Sequence, residues 1–220
     1  MKKSVHILAF ALFSLCLFHI PTTQAATRPE PDIVRVELVT GMGSITVAVD
    51  RKRAPKTADN FLTYVDDGRF DGTDFYRAAR SKARPGTGYV QGGIRTNLRR
   101  SLPPIAHERT DVTGITHLDA TISMARGNSV DTAKGNFFIT VGPTPHMDAR
   151  GDYAGYAAFG RVVSGMDVVK RILAQPSGGG VGPMKGQMIL KPVILIRAKR
   201  LNGTPHPSKY PKAWLLWEKK

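Results

Sequence analysis

The chain has 220 residues, 32 Lys and Arg against 17 Asp and Glu, a net charge of +15 and a single cysteine, Cys16. That excludes a disulfide-stapled scaffold and paired-thiol chemistry, so a buried core must hold the fold, and the length is enough to build one. Charge of this sign favours anionic partners, but the cations are scattered and not interleaved with aromatics as in a single-strand binder, so nucleic acid is not expected as a partner.

Residues 1–25, "MKKSVHILAFALFSLCLFHIPTTQA", read as a secretory signal peptide. Lys2 and Lys3 form a positive start, Ile7 to Leu17 an apolar stretch, and Thr23-Gln24-Ala25 puts small residues where a signal peptidase cuts. The segment is too short and wrongly flanked for an anchor, so no stable membrane insertion is expected after cleavage. Leu15 stands where a lipidation site would need a small residue before Cys16. The expected mature chain has 195 residues, no cysteine and, with Lys2 and Lys3 gone, a charge of +13. The signal looks bacterial, which implies a periplasmic location.

Residues 26–32 are polar and Pro-rich, a flexible lead-in. "IVRVELVTGMGSITVAVD" then alternates on both sides of a Gly-rich turn: Val34, Val36 and Leu38 share one face, Ile45, Val47 and Val49 another, predicting a hairpin. In "RAPKTADNFLTYVDDG", Pro55 and Thr57 suit a helix start, Ala58, Phe61, Leu62 and Val65 recur at helical spacing, and Gly68 stops it. "DFYRAARSKARPGTGYVQGG" (74–93) sets short apolar pieces around a basic loop. "ATISMARG", "GNFFITVG" and "AAFGRVV" read as strands. "SGMDVVKRILAQ" carries a second helical stripe in Met166, Val169, Ile172 and Leu173, and "PVILIRAKRL" is a closing strand. Residues 202–220 change character, with three prolines and then Trp214 and Trp217 among lysines. Packing of these tryptophans on the domain is the expectation. Weak contact with an anionic surface through the basic tail is the rival.

Many strands at short spacing and only two helices predict a mainly β fold, a closed antiparallel barrel of about eight strands capped by two α-helices. Other chemistries lack their signatures. His107, His117, His146 and His206 form no zinc-binding spacing. Asp66, Asp67, Asp71 and Asp74 lack the order of a calcium loop, and Ser123 with His146 lacks a nucleophile elbow. "GGGVGP" lacks the lysine of a phosphate loop. "NGT" at Asn202 would matter only in a eukaryotic secretory pathway.

"APKTADNFLTYVDDGRFDGTDFYR", "GYVQGG", "PPIAHERTDVTG", "TISMARG", "NFFIT" and "GYAAFGRVVSGMDVV" occur in one order over residues 33–201. In that order they resemble the cyclophilin family of peptidyl-prolyl cis-trans isomerases in its bacterial periplasmic style. The resemblance implies rotation of X–Pro bonds in Pro-containing segments of unfolded or exported proteins, assisting their folding. An amide barrier of ~18–20 kcal/mol makes that rotation slow. No bond is made or broken, so neither cofactor nor metal is expected. What helps is an apolar grip on the proline and a rigid, permanently charged donor aimed at the amide nitrogen.

By the same resemblance Arg77 is the catalytic arginine and Gln91 the glutamine that orients it. Phe138 lies on the proline-pocket floor, with Phe137 in the barrel interior. Tyr89 and Met147 are pocket walls, and Ala125, Arg126 and Gly127 run along the bound peptide. Strand alternation would put Phe75 on the same face as Arg77, as a further substrate contact. The chain departs from the family pattern at Gly88, where a phenylalanine is usual, and at Asn136 for glutamine. His146 replaces a large aromatic, which argues against strong cyclosporin sensitivity, and Tyr156 replaces a histidine. The connection "AARSKARPGT" is longer than usual and basic. These changes surround one pocket and keep open a rival reading: a catalytically weak or inactive peptide-binding, chaperone-like module on the same fold.

Overall fold

The computed structural model describes residues 30–216. The signal-like segment, most of the lead-in and Trp217 therefore lie outside the described residues. Eight strands close into an antiparallel barrel: β1 (Ile33–Thr40), β2 (Gly43–Asp50), β3 (Thr73–Arg80), β4 (Gly88–Gly93), β5 (Thr121–Met124), β6 (Asn136–Val141), β7 (Ala158–Ser164) and β9 (Met188–Arg200). They follow the order β1-β2-β7-β5-β6-β4-β3-β9, and pairing of β1 with β9 completes the ring. A two-residue strand, β8 (Ser177–Gly178), adds to β9. The predicted barrel is present. The predicted helices are α1 (Pro55–Asp66) and α3 (Met166–Leu173), and a single helical turn, α2 (Thr110–Thr113), joins them.

The alternation seen in the sequence is the alternation of the wall. Val34, Val36, Leu38, Ile45, Val47 and Val49 are all fully buried. Phe61 of α1 meets Phe70, Phe137 and Phe159 at centroid distances of 5.1–5.5 Å, so the helix plugs one end of the barrel with aromatic edges and faces. Helix α1 has no side-chain cap of its own, because Ala54 stands at its N-cap. Glu108, far along the chain, supplies one: its carboxylate accepts from the N–H groups of Lys56 and Thr57 at 3.1 and 2.7 Å and from the Thr57 hydroxyl at 2.6 Å.

Residues 202–216 fold back onto the barrel. Asn202 ties the ends together, accepting from Arg35 N–H at 2.6 Å and donating to the Ile33 carbonyl at 3.0 Å. Trp214 is 4% exposed, with the Arg69 and Arg100 guanidiniums 4.7 and 5.4 Å from its ring centroid. Arg69 is itself buried and pairs with Asp67 at 2.6 Å, and Ser208 donates to the same carboxylate. The packing expected of the tryptophans holds for Trp214.

Candidate active site

The site lies on the outer face of β3, β4 and β6, and a β-bulge builds it. Phe75 pairs with Gly92 and Arg77 with Gln91, leaving Tyr76 without an opposite partner. The extra residue reverses the alternation. Phe75 points into the core, fully buried and edge-on to Phe137 at 5.7 Å. Its expected place beside Arg77 as a substrate contact is therefore corrected: an unbulged strand would share that face, this one does not. Opposite the bulge, β9 runs from Met188, paired with Arg77, to Val193, paired with Phe75, so the ladder is interrupted there. Pro192, which has no N–H to give, sits in that interruption.

The double irregularity brings Gln187 to the site. Arg77 donates from Nε to Gln187 Oε1 at 2.8 Å and from Nη1 to Gln91 Oε1 at 2.9 Å, and Nη2 is 3.4 Å from the Pro183 carbonyl. Two amide carbonyls thus grip the guanidinium, one from β4 and one from the residue just before β9, and its carbon lies 5.2 Å from the Tyr89 ring centroid. Gln91 is itself oriented, since its Nε2 donates to the Tyr76 hydroxyl at 2.7 Å. That fixes the amide with its carbonyl towards Arg77. Tyr76 is 6% exposed, and burial pushes its phenol up to about 12, so it stays protonated as a neutral hydroxyl. Burial likewise raises the Tyr89 phenol.

Phe138 lies opposite Gln91 on β6 and is ringed by Tyr89 at 5.3 Å, Tyr156 edge-on at 5.5 Å and His117 stacked at 5.8 Å. Only 3% of it is exposed. Tyr89, Tyr156 and His146 line the open cleft, with Phe138 and Met147 buried beneath them. Ala125, Arg126 and Gly127 edge an adjoining cleft, shared with Tyr76, Gln91 and Asn136. Asn136, on the wall of that cleft, accepts from the Tyr76 hydroxyl at 3.3 Å. Its amide accepts from Arg95 N–H at 2.7 Å and donates to the Arg95 carbonyl at 2.8 Å, pinning that loop. Gly88 has a φ of +140°, and a Cβ there would collide with the Ala79 carbonyl, so the usual phenylalanine cannot be accommodated on this backbone. Of the long basic connection, residues through Arg80 continue β3. Arg80 donates to the carbonyls of Leu173 and Gln175 at 2.9 Å, closing the end of α3.

Ser123 finds a different histidine from the one considered in the sequence. His117 bridges Asp148 at 2.6 Å and Ser123 at 2.9 Å through its two ring nitrogens. Ser123 and His117 are 0% and 1% exposed and only the Asp148 end is partly open, so the buried imidazole braces Phe138 from behind. Burial pushes the His117 imidazole below its ordinary value, although Asp148 pulls it up. Tyr76 and Gln187 were missed in the sequence. The first sat unassigned beside Arg77 within the quoted "DFYRAARSKARPGTGYVQGG"; the second carries no local signal.

The pattern for "Cyclophilin type peptidyl-prolyl cis-trans isomerase/CLD" matches residues 35–196. The chain belongs to the cyclophilin family. A relative from Dickeya dadantii, "Peptidyl-prolyl cis-trans isomerase A", is 34% identical over 198 residues, 89% of this chain and 97% of that one. "Peptidyl-prolyl cis-trans isomerase cyp18" of Streptomyces antibioticus is 34% identical, covering 76% of this cyclophilin and 98% of its own length. The solved cyclophilin-type isomerase of Cryptosporidium parvum superposes with a TM-score of 0.62 at 19% identity, over 78% of this chain and 99% of that one, a likeness of fold.

Proposed function

We propose that this cyclophilin accelerates cis-trans rotation of X–Pro bonds in exported proteins, acting in the periplasm. The observation that carries the activity is the doubly held Arg77 above an aromatic floor. A guanidinium has five N–H donors, more than the two amide carbonyls consume. As the X–Pro amide twists, its nitrogen lone pair leaves conjugation and becomes a hydrogen-bond acceptor. A donor fixed in advance stabilises that twisted state more than either planar one, which is what lowers the barrier. Tyr89, Tyr156 and His146 offer the ring a partly apolar recess. Ala125 to Gly127 offer the chain beside it an edge. Export is supported by the signal-like pattern of residues 1–25.

The test is two-dimensional exchange NMR of a short X–Pro peptide, with and without catalytic amounts of the full chain. Acceleration that falls by about 10²–10³ in Arg77→Ala, the usual loss for one preorganised donor, is expected. Peptide resonances that shift without faster exchange would instead make the protein a binding module, a reading favoured by the near-complete covering of Phe138.

A further inference from the structure

The aromatic recess opens into a larger cleft of about 860 Å³. Arg77, Arg80, Arg84, Arg126 and His146 line it, and no Asp or Glu does. Several guanidiniums elsewhere on the barrel are neutralised: Arg69 pairs with Asp67, Arg95 with Asp74, Arg109 with Asp111 and Arg200 with Asp66, each at 2.6–2.9 Å. In the cleft none has a carboxylate partner among the described residues. Arg77 is held by glutamine amides and Arg80 by carbonyls and the Ser177 hydroxyl. Arg126 is held by the carbonyls of Gly155, Gly127 and Asn128. The exposed Arg84 side chain makes no hydrogen bond or ion pair among the described residues.

Neutral acceptors fix Arg77, Arg80 and Arg126 in place without cancelling their charge. Guanidiniums stay charged at any working pH, and a concave wall concentrates their field. The arrangement repels itself, and a neutral peptide does nothing to relieve it. The cleft is roughly 9–10 Å across if taken as compact, room for about three residues of extended peptide at about 3.3 Å each.

We propose that the preferred substrate of this site is an acidic peptide segment, with Asp or Glu within about three residues of the proline and its carboxylate turned towards Arg84 and Arg126. This names the substrate class of the isomerase site and rests on the reading of it as an isomerase. The test measures exchange and resonance shifts for short Pro-containing peptides, identical except for Glu, Gln or Lys at each position near the proline. At low salt the best-placed Glu is expected to exceed Gln in kcat/KM on the order of tenfold, the low end for a hydrogen bond to a charged group, with Lys below Gln. The gap narrows at about 0.15 M salt. Arg84→Gln, an exposed change that spares the fold, is expected to shrink the Glu-to-Gln ratio about threefold. Equal acceleration of all three peptides would overturn the acidic preference, and a Glu preference indifferent to both salt and Arg84 would overturn its assignment to this cleft; either result leaves the isomerase standing. If no peptide exchanges faster, the isomerase reading fails, and the shifts decide the rest. Glu peptide saturating well below Gln peptide sustains the acidic groove, and equal saturation sinks it.

Discussion

Two sets of arginines on this barrel are held in contrary ways. Around Trp214, Arg69 is 1% exposed and meets a carboxylate at 2.6 Å, with further carbonyls from Arg100, Tyr210 and Pro211 at 3.3 Å. In the cleft, Arg77 is half-buried and meets only amide oxygens. The first arrangement spends its charge internally and locks the C-terminal segment down. The second keeps its charge and its spare donors for something that is not part of the chain. Between Arg69 and Arg77, the partner decides whether the charge is met inside the fold.

Removing Asp67 tests the structural half most severely. Asp67→Asn strands a buried guanidinium, and a loss of about 3–5 kcal/mol in urea unfolding is expected. The reverse pattern, little change in stability, would mean that the carbonyls alone suffice. Trp214→Ala should cost about 3 kcal/mol and release the tail to proteolysis, without altering X–Pro exchange per folded molecule. On the working half, Gln187→Ala removes one of the two grips on Arg77 while leaving its charge. Exchange should slow about tenfold with unfolding unchanged, and an unaffected rate would show that Gln91 positions the arginine alone. Tyr76→Phe frees the Gln91 amide to turn over and should cost a smaller factor, about threefold, readable in the same exchange spectra.

The smallest effect expected is one of pH. Burial holds the His117 imidazole below its ordinary value of 6.5. The unfolded chain therefore takes up a proton near that pH while the folded one does not. Stability falls as pH drops below about 6.5, and levels off once the folded imidazole is protonated too. Urea unfolding of His117→Gln should show a flatter profile through that window than the parent.

The sequence was most legible where period and packing coincide. The hairpin β1–β2 and helices α1 and α3 lie where their apolar spacing put them, and Arg77 and Gln91, named by family likeness, meet at 2.9 Å. The bulge at Tyr76 was illegible because an extra residue leaves no mark on composition. It misplaced Phe75 for that reason. Gln187 was illegible because it comes to Arg77 from 110 residues away, through a break in a ladder that only the folded sheet has. Asn136 read as a shortened binding group, and nothing in the sequence showed that its amide also pins the Arg95 loop. Glu108 belonged to a recognisable motif, yet nothing in it announced a helix cap 51 residues upstream.

The pairing of β1 with β9 makes the barrel a clasp fastened by its two ends. Val36 lies beside Arg200, and Leu201 N–H donates to the Arg35 carbonyl at 2.8 Å. A chain emerging from a ribosome or a pore would carry its opening hairpin as an unfastened edge until the final strand arrived. Contacts this distant make closure slow, and exposed strand edges invite pairing with neighbours in the meantime. A prolyl isomerase would thus itself pass through an interval in which it is open to capture.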